Sequence, residues 1–111
     1  MFDPITLEVL RCKLEAIADD GAKTVIRTAI SPAVADAGDC SCAIYAVNGD
    51  LIVGGGPVFS HYHTGVNGVH AITALHGESI ADGDIFLVND PYSGGGYHAQ
   101  DAFIQIGRAH V

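Results

Sequence analysis

The sequence predicts an α+β fold: an N-terminal helical segment, a β-hairpin, a second helix, then a buried strand and a glycine-rich loop. Three observations predict it. Apolar residues recur at helical spacing near the start, Asn48-Gly49 separates two apolar runs, and Ile85-Phe86-Leu87-Val88 is an uninterrupted apolar stretch. A chain of 111 residues has room for one small domain. Its 49% apolar composition suffices for a core.

Asp3-Pro4 opens the first helix, because Asp can cap and Pro loses nothing in the first turn. Leu7, Leu10, Leu14, Ile17, Gly21 and Thr24 or Val25 then form one stripe. Arg11, Lys13, Glu15, Asp19 and Asp20 lie mostly off it. The spacing predicts one long helix, or two abutting ones, from about residue 4 to residue 29, with Gly21 as the weak point. The stripe reads as core packing, and Ser31-Pro32 ends the segment.

After a small acidic loop over 33–39, Cys40 to Val47 reads as a strand and Asp50 to Val53 as its return. Asn48-Gly49 is the tight turn, since both turn positions of the commonest hairpin need positive φ. Cys40 and Cys42 share a strand face and, with Cys12, make an odd set without disulfide or zinc spacing, so they read as small packed residues. Gly54-Gly55-Gly56-Pro57 is expected to break regular structure, and it lacks the Lys-Ser/Thr of a phosphate loop. Val58 to Thr64 carries His61 and His63; on a strand the two would share a face, with Tyr62 pointing away. Val66, Val69, Ile72 and Leu75 predict a short amphipathic helix ending near His76-Gly77. Residues 81–84 make a turn. Residues 85–88 are expected to be a strand buried on both faces.

The formal charge is −8, from 13 acidic and 5 basic residues. That excludes nucleic acid and anionic membrane surfaces as partners, because both need clustered Lys and Arg. Met1-Phe2-Asp3-Pro4 is not a signal peptide, and no stretch approaches the roughly 20 apolar residues of a membrane span. The expected location is cytoplasmic.

Chemistry concentrates after the apolar strand. Asn89-Asp90-Pro91-Tyr92 is followed by Ser93-Gly94-Gly95-Gly96-Tyr97-His98-Ala99-Gln100-Asp101, and the next strand begins near Ala102. Loops at strand ends are where ligands commonly sit. Asp90, His98 and Asp101 offer carboxylate oxygens and an imidazole, a donor set suited to a divalent cation such as Mn, Zn or Fe. The three glycines would let the backbone fold close to whatever is bound. His61 and His63 are candidates for a further ligand or an acid–base group. The plainer alternative is an Asp-Pro turn and a surface His–Asp pair. His70, His76 and His110 read as surface or helix-end residues.

Several blocks resemble the hydantoinase B / 5-oxoprolinase family, which includes the large subunits of N-methylhydantoinase and acetone carboxylase. They are residues 3–9 (Asp3 to Val9), Thr28 to Pro32, Asp39-Cys40-Ser41-Cys42-Ala43, and Gly83 to Gly95. The resemblance implies an incomplete part of a larger α/β enzyme, a hydrolase opening cyclic amides such as 5-oxoproline or hydantoins. It implies ATP on a hydantoinase A-like ATPase subunit or fused half, not on this chain. It assigns metal to Asp90, His98 and Asp101, and catalysis to His61 or His63. Two departures stand out: His61-Tyr62-His63-Thr64-Gly65 offers two histidines where the family has one, and Tyr97 stands where the family often has Thr.

Ile106-Gly107-Arg108-Ala109-His110-Val111 equals the translation of a common sequencing-adapter string, so residues 1–105 read as the N-terminal portion of a hydantoinase B-like domain and 106–111 as a non-native tail. Two other functions compete with the hydrolase. One is an acetone carboxylase-like large subunit; the other is a small non-catalytic binding or assembly protein.

Overall fold

The computed structural model describes Met1 and residues 3–107. Its elements are α1 (Pro4–Thr28), α2 (Pro32–Ala35), β1 (Cys42–Tyr45), β2 (Leu51–Gly55), α3 (Phe59–His76), a 3-10 turn (Gly77–Ser79), β3 (Ile85–Val88) and β4 (Phe103–Ile106). This is the expected α+β class, with two separate antiparallel pairs, β1–β2 and β3–β4. The β1–β2 hairpin packs against both α1 and α3, and α3 also reaches β4. Arg108, Ala109, His110 and Val111, most of the tail singled out above, lie outside the described residues.

Asp3 caps α1: its Oδ1 accepts from Ile5 N and Thr6 N at 3.0 Å each, with Pro4 in the first turn. The helix is single, because Gly21 serves packing and breaks nothing. A Cβ there would lie 2.7 Å from Cys42 Sγ. Cys40 points the same way, its Sγ 3.9 Å from Ala22 O, so both thiols are half-buried packing groups and all three cysteines are free.

The stripe of α1 is buried only in part. Ala18 and Ala22 are in the core, while Leu7, Leu10 and Ile17 stay exposed. Length explains this. Twenty-five helical residues run about 37 Å, whereas a strand of five residues spans roughly 17 Å. The hairpin therefore covers one half of the helix.

The hairpin turn differs from the expected two-residue form. Gly49 N donates to Ala46 O at 2.9 Å and Ala46 N to Asp50 O at 2.8 Å. Only Gly49 has positive φ, +91°, which is the three-residue loop with glycine in the left-handed position. β2 also continues through Gly54 and Gly55, where a break was expected. A Cβ at Gly54 would meet the Tyr62 ring at 2.4 Å, and one at Gly55 would meet the α1 backbone at Asp19 N at 2.6 Å. These glycines let two helices close on one hairpin. The chain turns at Gly56, φ +98°, whose N–H donates to Asp19 Oδ1 at 3.1 Å.

α3 begins at Phe59, seven residues before the expected start, so His61 and His63 lie on a helix and not on a strand. Gly65 and Gly68 lower helix propensity by about 1 kcal/mol each, yet both are buried in α3. Tertiary packing overrides propensity here. Ile72 and Val69 face the core, and the helix ends at His76 with Gly77 at φ +49°.

β3 is not buried on both faces. Phe86 and Val88 turn inward, while Ile85 and Leu87 are 68% and 71% exposed. In β4, Ile104 and Ile106 stand opposite Leu87 and Ile85, and they are 64% and 68% exposed. The apolar run was read correctly as a strand, but a two-stranded sheet has only α3 on one side. The substitution Ile72→Ala is expected to cost about 2–5 kcal/mol in chemical denaturation. Leu87→Lys, on the open face, should stay within about 0.5 kcal/mol of wild type; equal losses would contradict this division of the apolar residues.

Candidate functional site

The loop 89–102 hangs between β3 and β4, and two anchors fix it. The first is the glycine face of α3. A Cβ on Gly68 would lie 2.6 Å from Phe103 Cδ1 and 2.8 Å from Gly94 O. One on Gly95, φ +88°, would lie 2.5 Å from Thr64 O. So Gly95 sets the loop backbone on the helix and Gly68 leaves room for the Gly94 carbonyl, while Gly94 itself packs within the loop, where a Cβ would meet Val88 and Asp90. Tyr45 steadies the same region. Its hydroxyl donates to Tyr62 O, and its ring meets Phe103 edge-on at 6.4 Å. Burial, with a smaller contribution from Cys42, pushes the Tyr45 phenol up to about 12, so it remains a donor.

The second anchor is Asp101. Its Oδ2 accepts from Tyr97 N at 2.8 Å and from His98 N at 3.4 Å, while Asp101 N donates to His98 O at 3.0 Å. Its other oxygen, Oδ1, lies 3.2 Å from His98 Nδ1. The structure thus brings His98 and Asp101 together. Asp90 works in its own turn: it accepts from Tyr92 N at 2.9 Å and from the Ser93 hydroxyl. The Ser93 bond first, then that of Tyr92, holds its carboxyl below the usual carboxylate range. Among the described residues no three His, Cys, Asp or Glu side chains converge on one point.

His61 and His63, two residues apart on α3, project about 200° apart, so they do not share a face. His63 is exposed beside the Tyr62 ring, at 5.1 Å. His61 is half-buried. Its Nε2 stands 3.8 Å from Asp39 Oδ1, and its ring lies 6.0 Å from that of Tyr97, tilted at 45°. Of the two, His61 is the one that meets side chains from other segments, Asp39 and Tyr97. Asp39 and Tyr97 are neighbours that spacing alone did not join to the site. The block Asp39 to Ala43 had carried part of the resemblance, which was the available signal for Asp39. His70, by contrast, is structural: its Nε2 hydrogen-bonds Asn48 O at 3.0 Å and ties the hairpin turn to α3.

The arrangement has two parts joined by one residue. Tyr97 gives its ring to His61 and its backbone N–H to Asp101. A donor pair separated by 3.2 Å also fits joint coordination of one cation. Two ligands each about 2.1 Å from an ion at 90–110° lie roughly 3.0–3.4 Å apart.

A family model described as hydantoinase B/oxoprolinase matches residues 3–106. Over 95 residues, 86% of this chain, the sequence is 30% identical to a 5-oxoprolinase of Dictyostelium discoideum, covering 8% of that protein. Over 96 residues, 84% of this chain, it is 36% identical to an uncharacterized protein of Methanocaldococcus jannaschii, covering 17% of it. It is 30% identical over 89 residues to the caprolactamase subunit beta of Pseudomonas jessenii, which covers 80% of this chain and 15% of that protein. The chain thus spans less than a fifth of the length of these relatives. No solved structure matches.

Adding a methyl at Gly68 should force the loop off α3. Gly68→Ala gains about 1 kcal/mol of helix propensity but overpacks Phe103 and the Gly94 carbonyl at about 1–3 kcal/mol. Amide exchange at Gly94, Tyr97 and Asp101 is expected to accelerate; unchanged exchange would mean the loop is held some other way.

Proposed function

The chain belongs to the hydantoinase B/oxoprolinase family, and from that premise we propose that it is the N-terminal portion of an enzyme subunit that hydrolyses cyclic amides. The observation that supports this reading best is the link through Tyr97 between His61 and the His98–Asp101 pair. Through this one residue an imidazole is connected to a pair of metal-type donors.

In this reading His98 Nδ1 and Asp101 Oδ1 hold a divalent cation such as Mn, Zn or Fe, with Asp90 as a further candidate ligand. When bound, that cation would polarise the substrate carbonyl or lower the pKa of a water. His61 carries the proton chemistry, taking a proton from the attacking water or giving one to the departing ring nitrogen. Asp39 stands across from it, its Oδ1 3.8 Å from His61 Nε2. His63, exposed on another side of α3, falls to second choice. Asp101, through its bonds to Tyr97 N and His98 N, keeps the donor pair in place.

ATP belongs to a partner, a hydantoinase A-like ATPase subunit or a fused half, and the substrate is a small cyclic amide of the 5-oxoproline, hydantoin or lactam kind. Among the described residues, no helix is long and apolar enough to cross a membrane.

The test is metal content of the assembled, full-length enzyme, wild type against His98→Ala and Asp101→Ala. Metal should fall from near one equivalent to a small fraction, with ATP-dependent ring opening lost in parallel. Equal metal in all three proteins would remove the assignment. Activity that required bicarbonate would point to a carboxylase instead.

A further inference from the structure

We propose that Tyr97 is a movable cover over His61, an access-controlling side chain carried on a fixed loop backbone. The idea rests on the reading of His61 as the reactive imidazole, and its geometry can be examined without that reading.

Three observations carry it. His61 is the more enclosed of two histidines on the same helical segment: its side chain is 27% exposed, whereas His63 is open to solvent. Asp39 Oδ1 faces Nε2 of His61 at 3.8 Å, and the Tyr97 ring lies against the imidazole at 6.0 Å. Tyr97 is the one of these neighbours that comes from the site loop.

Its backbone and its side chain are held very differently. Tyr97 N donates to Asp101 Oδ2 at 2.8 Å, and the preceding Gly95 is pressed onto α3 too closely for a Cβ. The residue as a whole is 54% exposed. Side-chain rotation about χ1 is fast and local, so the ring can swing away while the loop stays docked. A ligand approaching His61 from the loop side must displace the ring or stack on it. A flat cyclic amide can do either, since an aromatic face accepts a planar partner at van der Waals distance.

The experiment is carbethoxylation of the 111-residue chain with diethyl pyrocarbonate, read residue by residue by tandem mass spectrometry. His61 is expected to react about fivefold more slowly than His63 in the wild type. Tyr97→Ala should bring the two rates within about twofold, while Tyr97→Phe, which keeps the ring, should preserve the difference. Equal rates in the wild type would overturn the proposal, as would an undiminished difference in Tyr97→Ala. His70, which hydrogen-bonds the hairpin turn, reports the integrity of the fold. If its rate rises in Tyr97→Ala, that variant has loosened and Tyr97→Phe decides: a retained difference supports the cover, and a lost one overturns it. None of these rates needs metal, ATP or a partner. A cover that passes beside a His98→Ala enzyme with undiminished metal would leave the functional reading refuted and the cover standing.

Discussion

The close approach of the loop 89–102 to α3, made possible by glycine on both sides, is the constraint on which the site depends. Gly65 and Gly68 remove side chains from one face of the helix, and Gly95 removes one from the loop. Backbone then meets backbone, with Phe103 and Tyr45 filling the space that remains. A helix surface with side chains would hold the loop several ångströms farther out. His61, on the first turn of the same helix, would then lose its contact with Tyr97.

The same device recurs in the hairpin. Gly54 admits the Tyr62 ring and Gly55 admits the α1 backbone, so two helices share a hairpin of only two short strands. Small residues cost conformational entropy when fixed, and they contribute little apolar burial of their own. Among the described residues the buried apolar set is correspondingly small: Ala18, Ala22, Val53, Val69 and Ile72. Much of the large aliphatic surface lies instead on the first half of α1 and on the outer face of β3–β4. Such a distribution uses the core to position a loop and leaves apolar faces open.

Charge works locally against this background. Asp101 is engaged by two backbone N–H groups and one imidazole, and Asp90 by a hydroxyl and a backbone N–H. Both carboxylates thus hold their own loop in shape. The sequence grouped them as one set with His98, whereas the folded loop gives Asp90 a turn of its own. The plainer alternative, an Asp-Pro turn, describes Asp90 well; the His98–Asp101 pair is where donors meet.

Periodicity and turn chemistry alone were enough for the α+β class, for α1 from its Asp-Pro start, for the hairpin at Asn48-Gly49 and for the strand at Ile85 to Val88. These are local: each depends on spacing or on the φ that a residue tolerates. The motif block around Asn89 to Asp101 likewise marked the loop, and the short separation of His98 and Asp101 was enough to pair them. Tertiary structure decided the rest. It extended α3 back to Phe59 through two glycines that propensity disfavours, and so turned His61 and His63 to different sides. It carried β2 through a run of glycine that looked like a break, and it left one face of β3 open. It also brought Asp39 and Tyr97 to His61 across 22 and 36 residues of chain. Each of these outcomes turns on what lies across the gap from a missing side chain, and a sequence records the glycine without recording the neighbour that needs the space.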